Sequence, residues 1–160
     1  MADITVGYNG AATNTDGAKM VVDKNSAATG TGVIDTVHVK LLGNGTGCKV
    51  APFYNNGGTL TCRGGAVSIG NITGGSYQAI TGLAMEITSG DFIGLYAGGA
   101  GIYYATASLA GYYAGADKTN AGDTVTGGFG DVKFAVYGSG STASGLPIAI
   151  AQYHRNNMRG

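Results

Sequence analysis

Acidic side chains are the first candidates for chemistry in this sequence, which contains one glutamate, Glu86, and eight aspartates. Hydrolysis by acid–base catalysis requires two carboxyl groups held at a defined separation. Most of the aspartates stand beside glycines or other turn-forming residues, where an aspartate usually stabilises the turn. We therefore expect turn formers and no catalytic pair of carboxylates. The aspartates interpreted in this way are Asp16, Asp91, Asp117, Asp123 and Asp131.

The two histidines, His38 and His154, are the next candidates, because either could activate a nucleophile in a catalytic triad. The Gly-x-Ser-x-Gly segment that is typical of a nucleophile elbow does not occur in the sequence. His38 stands between Thr36 and Lys40 on one face of a predicted strand. We expect it to be a half-exposed strand residue.

Two cysteines, Cys48 and Cys62, flank a predicted turn at residues 55–58. The turn brings them near each other, so a disulfide is one interpretation. Two buried thiols are favoured, because a chain without a secretion signal matures in a reducing compartment. A zinc site would need two further thiolate or imidazole ligands at suitable spacing, and none is apparent.

Two loops resemble ligand-binding loops without meeting their requirements. Residues 111–119 include a Lys-Thr pair, but Asp117 stands where a phosphate-binding loop needs glycine, and no strand–loop–helix pattern surrounds it. Residues 117–123 carry several oxygen ligands suited to calcium, yet the EF-hand spacing is absent and an ordinary polar loop is the simpler interpretation. The sequence thus predicts neither an enzyme nor a bound cofactor or metal.

The composition is unusual in its glycine content and its low charge. The chain has 31 glycines in 160 residues, and 11% of its residues are charged, where about 25% is usual. Low charge suits a surface that is covered by neighbouring molecules, although a monomer with many loops is the alternative. The net charge is zero and no basic stripe occurs, which argues against nucleic-acid binding.

The sequence predicts neither a secretion signal nor a membrane span. The first ten residues contain no basic region followed by an apolar stretch, so we expect no secretion signal and synthesis in the cytoplasm. No apolar run approaches 18 residues, so we expect no membrane span.

The elements that would position any site are most clearly visible in residues 77–106. Leu83, Met85 and Ile87 alternate with smaller or polar residues, which indicates a half-buried strand. A Ser-Gly-Asp turn follows, and residues 92–97 form a second, largely apolar strand. The same pattern, in which short strands are separated by glycine-containing turns, predicts further strands at residues 4–8, 19–24, 33–42, 48–54, 59–63, 67–72, 102–104, 109–113 and 131–138.

Some of these strands carry further expectations. Residues 19–24 are predicted to be an edge strand, and Pro52 argues for an edge or a bulge in residues 48–54. A helix over residues 107–116 is an alternative, but its glycines and tyrosines disfavour it. Eight to ten short strands predict an all-β fold, namely a single antiparallel β-sandwich of jelly-roll type over residues 1–138.

The C-terminal part, residues 139–160, is predicted to be a flexible linker followed by an apolar arm. The segment GSGSTASG at residues 138–145 has linker composition. An apolar arm on a tether must pack on its own domain or on another copy, and addition to an exposed strand edge is one route. The arm residues expected at such an interface are Leu146, Ile148, Ile150 and Tyr153.

Ten tyrosines and no tryptophan form the remaining compositional signal. Tyrosine is enriched at protein interfaces and also forms platforms for sugars. With little charge nearby, an interface is favoured over a glycan site or simple packing. The tyrosines predicted to contribute are Tyr103, Tyr104, Tyr112 and Tyr113.

The segment SGDFIGLY, residues 89–96, carries a resemblance to a known kind of domain. A Gly-Asp turn precedes an apolar strand, and an aromatic-containing strand at residues 129–137 closes the pattern. In this, residues 30–138 resemble the small jelly-roll structural proteins of tailed bacteriophages, such as capsid decoration (cement) proteins and appendage domains. The resemblance implies a fold and a role in the virion, but it transfers no functional residue.

Three hypotheses follow. The first is a structural virion protein that forms a homo-oligomer, with a trimer as one candidate, and binds the major capsid protein or another virion protein. The second is a carbohydrate- or receptor-binding module of a fibre or appendage, which predicts a tyrosine cluster beside an exposed Asp/Asn loop. The third is a subunit of an extracellular filament assembled by exchange of a terminal segment.

Overall fold

The computed structural model describes residues 3–142, and within that range the chain forms fourteen strands and no helix. The all-β prediction is therefore confirmed, and all strand pairs are antiparallel. The apolar arm predicted at residues 146–153 lies outside the described residues.

The first sheet has five strands in the order β1-β14-β4-β8, with β9 also paired to β4. β8 and β9 lie on the same side of β4, one beside each half of that strand. The bounds of its strands are β1 Asp3–Gly7, β4 Gly32–Lys40, β8 Tyr77–Ile80, β9 Met85–Ile87 and β14 Val136–Thr142.

The second sheet has nine strands in the order β12-β6-β5-β10-β3-β11-β13, with β7 beside β5 and β2 beside β11. Its bounds are β2 Asn14–Asp16, β3 Met20–Asp23, β5 Gly45–Asn56, β6 Thr59–Cys62, β7 Val67–Ile72, β10 Phe92–Tyr96, β11 Ile102–Ala114, β12 Thr124–Val125 and β13 Gly127–Phe134. The sheet is nearly closed, since the Tyr112 hydroxyl on β11 contacts the Gly58 carbonyl in the β5–β6 turn at 3.5 Å.

The two sheets face each other across a first core that contains residues from both. Ile4, Ile34 and Val136 come from the first sheet, and Ile93 and Leu95 from the second, all without exposed surface. Burial of such side chains stabilises the fold by about 1.5–3 kcal/mol each.

A second core lies on the opposite face of the second sheet, inside its curl. It contains Met20, Val22, Phe53 and Leu60, again without exposed surface. Because β10 and β3 contribute to both cores, the centre of this sheet is buried on both faces. The residues Met20–Asp23 are accordingly all buried, and the prediction of an edge strand there is wrong: β3 lies between β10 and β11.

Pro52 is also inside a sheet, although its missing N–H disfavours such a place. β5 pairs with β6 over Phe53–Asn56 and with β7 over residues 45–50, so Pro52 stands in the gap between these two partners. Its carbonyl accepts a hydrogen bond from the Arg63 N–H at 3.0 Å. The missing N–H of Pro52 therefore costs no hydrogen bond between β5 and its neighbours β6 and β7.

The chain passes from the second sheet to the first at Ala135. Its N–H donates to the Tyr103 carbonyl at 2.9 Å, and its carbonyl accepts from the Lys40 N–H at 3.1 Å. The predicted single strand at residues 131–138 is thus split, with β13 before the crossing and β14 after it.

The domain boundary predicted at residue 138 needs correction. Residues 139–142 belong to β14, which pairs with β1 on one side and β4 on the other. The segment with linker composition is therefore, as far as Thr142, a central strand of the first sheet. Small residues suit β14 because a side chain on Gly138 would press on Ile34 and Val6.

Candidate functional site

No group of three or more histidine, cysteine, aspartate or glutamate side chains that could hold a metal ion occurs within residues 3–142. In the same part of the chain there is no helix of the length and apolarity needed to cross a membrane.

The two cysteines are free and buried, as the favoured interpretation predicted. Cys62 lies opposite Phe53 in the β5–β6 pair, well away from Cys48 in the strand register, and the two thiols belong to different cores. Burial raises the pKa of both thiols, so both are held in the unreactive protonated form.

The aspartates in the loops act as turn formers. Asp16 accepts a hydrogen bond from the Ala18 N–H at 2.7 Å, and Asp123 accepts one from the Asn120 N–H at 3.1 Å. Each of these bonds closes a local turn of the kind that the sequence predicted. Asp131, also predicted to be a turn former, lies instead within β13, where it pairs with Ala110.

The loop that was considered for calcium uses its first carboxylate internally. Asp117 accepts hydrogen bonds from the backbone and hydroxyl of Thr119 and forms an ion pair with Lys49 at 2.6 Å. Burial raises the pKa of Asp117, but the bonds from Lys49 and Thr119 outweigh it and hold the pKa below its ordinary value. These oxygens are therefore already engaged by the chain itself.

A partly exposed cluster of three tyrosines and two lysines lies on the surface, and we call it the tyrosine–lysine patch. Lys40 Nζ lies 4.1 Å from the centre of the Tyr103 ring and 6.0 Å from that of Tyr77. Lys133 Nζ lies 5.1 Å from the centre of the Tyr8 ring. These distances are those of cation–π contacts.

The patch also holds the loop after β1 in place. The Tyr77 hydroxyl donates to the Gly10 carbonyl at 2.7 Å, and the Tyr8 hydroxyl donates to the Ala11 carbonyl at 3.1 Å. Lys40 Nζ donates to the next carbonyl, that of Ala12, at 3.2 Å. Three successive carbonyls are thus bound by three patch side chains, which makes the loop and the rings one ordered surface. Burial raises the pKa of Tyr77 and keeps its hydroxyl protonated as a donor.

The sheet register explains how the patch arises. On β4 the outward positions alternate with the buried valines, which places His38 and Lys40 on the outer face of the first sheet. Lys40 pairs with Tyr77 on β8, and His38 pairs with Tyr137 on β14, where the two rings lie 6.1 Å apart. His38 is half-buried on this face, as predicted.

The four tyrosines predicted as one interface do not form one surface. Tyr103 belongs to the patch, whereas Tyr104 packs against the first core and Tyr112 against the second. Tyr112 also lies beneath Lys24, whose Nζ is 5.1 Å from the ring centre. Tyr113 is 41% exposed at the far end of β11, where it borders a shallow groove formed with the β2–β3 turn.

The other predicted interface residues, Leu146, Ile148, Ile150 and Tyr153, lie outside the described residues. The sequence interpretation overlooked Tyr8, Tyr77, Lys40 and Lys133 as members of a patch. The alternation on β4 was visible, but only the register of β8 brings Tyr77 beside Lys40.

A second concave feature lies where the two sheets meet, and we call it the β9 groove. It has a volume of about 420 Å³. One wall comes from the β4–β9 corner of the first sheet, and the other from β5 and the turn after β6. The lining residues on which the later argument depends are Val33, Pro52, Arg63, Gly65, Glu86 and Ile87.

An ion pair anchors one side of the β9 groove. Arg63 Nε lies 2.6 Å from Asp91 Oδ2, and the Asp91 side chain is 2% exposed. The same oxygen accepts the Thr88 N–H at 3.1 Å. The Arg63 guanidinium also lies over the Tyr54 ring at 4.7 Å. The arginine is therefore held from two sides, and its position defines the groove.

Comparisons of the chain with protein-family models, with curated proteins and with solved structures returned no match.

Proposed function

We propose that this chain is a non-enzymatic structural protein that self-associates and covers a larger protein shell, as a capsid decoration (cement) protein of a virion does. The observation that carries the proposal is the tyrosine–lysine patch. Interfaces gain affinity when large aromatic groups are ordered before binding, because little side-chain entropy is then lost. The hydrogen bonds from Tyr77, Tyr8 and Lys40 to three successive carbonyls supply that order.

The finer description of the fold belongs to the same proposal. Two antiparallel sheets around a shared core suit a sandwich, and we propose the jelly-roll type. The phage assignment rests on the resemblance of the SGDFIGLY segment, and the low charge of the chain supports a surface that is covered in its working state.

Self-association is tested by sedimentation velocity of the full chain and of Ala79→Glu. Ala79 is exposed on β8 opposite His38, beside the patch, so this change adds a charge without removing a packed side chain. We expect the unsubstituted chain to sediment as an oligomer and Ala79→Glu to dissociate. Thr126→Glu, at an exposed position away from the patch, is the control and should behave as the unsubstituted chain does. A monomeric unsubstituted chain would refute the proposal.

The role in a shell has its own test. We expect mass spectrometry of purified virus particles that encode this chain to find it in stoichiometric amount. Electron microscopy of the purified protein should show discrete oligomers, whereas long fibres would favour the filament hypothesis.

A carbohydrate- or receptor-binding module is the second candidate, and one observation favours it. The patch rings lie beside the loop that contains the exposed Asn9, which is the combination of tyrosines and a polar loop expected for a sugar site. A glycan array probed with the full chain tests it. Binding that is lost in Tyr77→Ala would favour this candidate, and no binding at millimolar sugar would remove it.

A further inference from the structure

We infer that the apolar segment at residues 146–153 of one copy docks as an added strand in the β9 groove of a neighbouring copy. The inference rests on the proposed self-association, and it adds to the tyrosine–lysine patch a second contact between copies. The groove, the sequence of the segment and the point where β14 ends support it.

The groove offers a free strand edge. β9 pairs with β4 through Val33 and Glu86 on one side, and no other strand within residues 3–142 pairs with it. An unpaired edge presents N–H and C=O groups to a further strand. The facing wall includes Gly64 and Gly65, both with left-handed φ, and a side chain on Gly65 would meet only open space. A wall with so few side chains leaves room for another backbone.

The chemistry of the groove suits the segment. Val33, Pro52 and Ile87 give it an apolar lining between the charged side chains of Arg63 and Glu86. In the segment LPIAIAQY, the larger side chains Leu146, Ile148 and Ile150 alternate with proline and two alanines. Such a period of two gives an extended strand one bulky face for the groove and one small face for solvent.

The tether has no length to spare for reaching the groove of its own chain. Thr142 at the end of β14 pairs with Gly32, and Gly32 pairs with Ile87 on β9. β9 is thus two strand spacings from β14, and a strand added at its outer edge would be three spacings away, about 14 Å at about 4.8 Å each. Four residue steps from Thr142 to Leu146 span at most about 14 Å when fully extended.

The direct path is also blocked. The loops before β4 and after β9 meet across these strand ends, where the Ser89 N–H donates to the Thr31 hydroxyl at 2.9 Å and the Gly90 N–H to the Ala28 carbonyl at 3.0 Å. A tether with no spare length cannot pass around them. The groove of another copy carries no such restriction, so we assign the segment to a neighbour.

Cross-linking between two full-length variants tests this assignment. Glu86→Cys and Ala149→Cys are co-expressed with different tags and treated with a short bismaleimide. We expect a cross-linked species that contains one of each chain. Cys48 and Cys62 are buried, and the unsubstituted chain treated in the same way checks that they do not react. Thr126→Cys in place of Glu86→Cys is the matched control and should give no such species.

The outcomes separate the two proposals. A single chain that carries both Glu86→Cys and Ala149→Cys is treated in the same way, and a link formed only within that chain would overturn the assignment to a neighbour. An oligomer in sedimentation that gives no link from Glu86→Cys would overturn the docking and leave self-association standing. A monomer would overturn the proposed function and this inference with it.

The face of the segment is tested by two neighbouring substitutions. Ile150→Asp, on the bulky face, should abolish the cross-link, whereas Ala151→Asp, on the small face, should retain it. Equal loss in both variants would contradict docking as a strand.

Discussion

Asp23 combines complete burial with an incomplete set of hydrogen bonds. Its Oδ1 accepts from the Asn25 backbone at 2.8 Å and from the Asn25 side chain at 3.2 Å, whereas Oδ2 has no partner among the described residues. Burial raises the pKa of Asp23 to about 6, although the bonds from Asn25 and the charge of Lys133 lower it. The folded protein therefore holds a carboxyl group that resists ionisation.

The sign and size of the effect on stability follow from this difference. In the unfolded chain the group has its ordinary pKa of 3.8. Between about pH 4 and pH 6 the folded state therefore binds more protons than the unfolded state, and its stability falls as the pH rises. A pKa difference of about 2, at about 1.4 kcal/mol for each pH unit, amounts to roughly 3 kcal/mol. That loss is complete above about pH 6 and absent below about pH 4.

Asp23→Asn removes the charge and keeps the shape, so it isolates this contribution. We expect its free energy of unfolding, relative to that of the unsubstituted chain, to improve by roughly 3 kcal/mol between pH 4 and pH 7. Urea unfolding at several pH values measures this difference, and effects of the other carboxyl groups cancel in it. Asp131→Asn, at an exposed position, is the control and should show no such change. Parallel curves for Asp23→Asn and the unsubstituted chain would refute the reasoning.

Two further predictions concern packing and the ion pair between the partly exposed Arg63 and the buried Asp91. Gly94→Ala would place a methyl group into the Phe53 ring in the second core, and we expect a loss of about 1–3 kcal/mol in urea unfolding. Gly128→Ala, at a strand position with open space, should cost less than half as much, and equal losses would contradict the packing argument. Arg63→Met leaves the Asp91 carboxylate buried without its partner, so we expect a loss of roughly 1–3 kcal/mol. Adding Asp91→Asn should recover part of that loss, and a larger loss in the double variant would show that the ion pair is not the cause.

Local features of the fold were predictable from the sequence. The alternation is found at Met85 and Ile87, although Leu83 lies before β9. The strand predicted at residues 92–97 occurs at Phe92–Tyr96, and the turn predicted at residues 55–58 is confined to Gly57 and Gly58. Period two and turn chemistry are properties of neighbouring residues, so a single sequence reveals them.

Details that depend on the partner strand were not predictable. Regular alternation from Val39 and Val37 back along β4 would bury Val33, but Ile34 is buried instead. An irregularity in the pairing with β14, between Ser139 and Gly140, coincides with this exchange of faces along β4. One additional residue in a strand reverses every side chain before it, and its position is set by the neighbouring strand.

The length of β11 also depends on its partner strands. Residues 102–104 and 109–113 were predicted as two short strands, whereas the structure has one strand from Ile102 to Ala114. Its two ends pair with β2 and β3, and β13 lies along its other side. Between these ends, Ala105, Thr106, Ala110 and Gly111 pair with β13 alone. This pairing holds an alanine- and glycine-containing stretch in a strand that its own propensity would not form.

The tyrosine–lysine patch could not be predicted from the sequence. Tyr8, Lys40 and Tyr77 are far apart in sequence, and none of them stands in a motif. Their meeting depends on the pairing of β4 with β8 and on the loop after β1. The tyrosines of β11, which the sequence predicted to form an interface, lie on both faces of that strand. Tyr104 packs against the first core and Tyr112 against the second.

The apolar content and the low charge of the chain have different physical origins. A sheet buried on both faces needs apolar residues at consecutive positions, as Met20, Val21 and Val22 show. The apolar residues of the two cores therefore need no interface to explain them. The two cores do not explain the low charge. Charged residues normally occupy exposed positions, and the packing of the cores does not restrict which residues stand there. On these positions the chain carries glycine, threonine, serine and asparagine, which cost little to desolvate when a partner covers them. The scarcity of charge, and not the abundance of apolar residues, is therefore the compositional property that supports assembly.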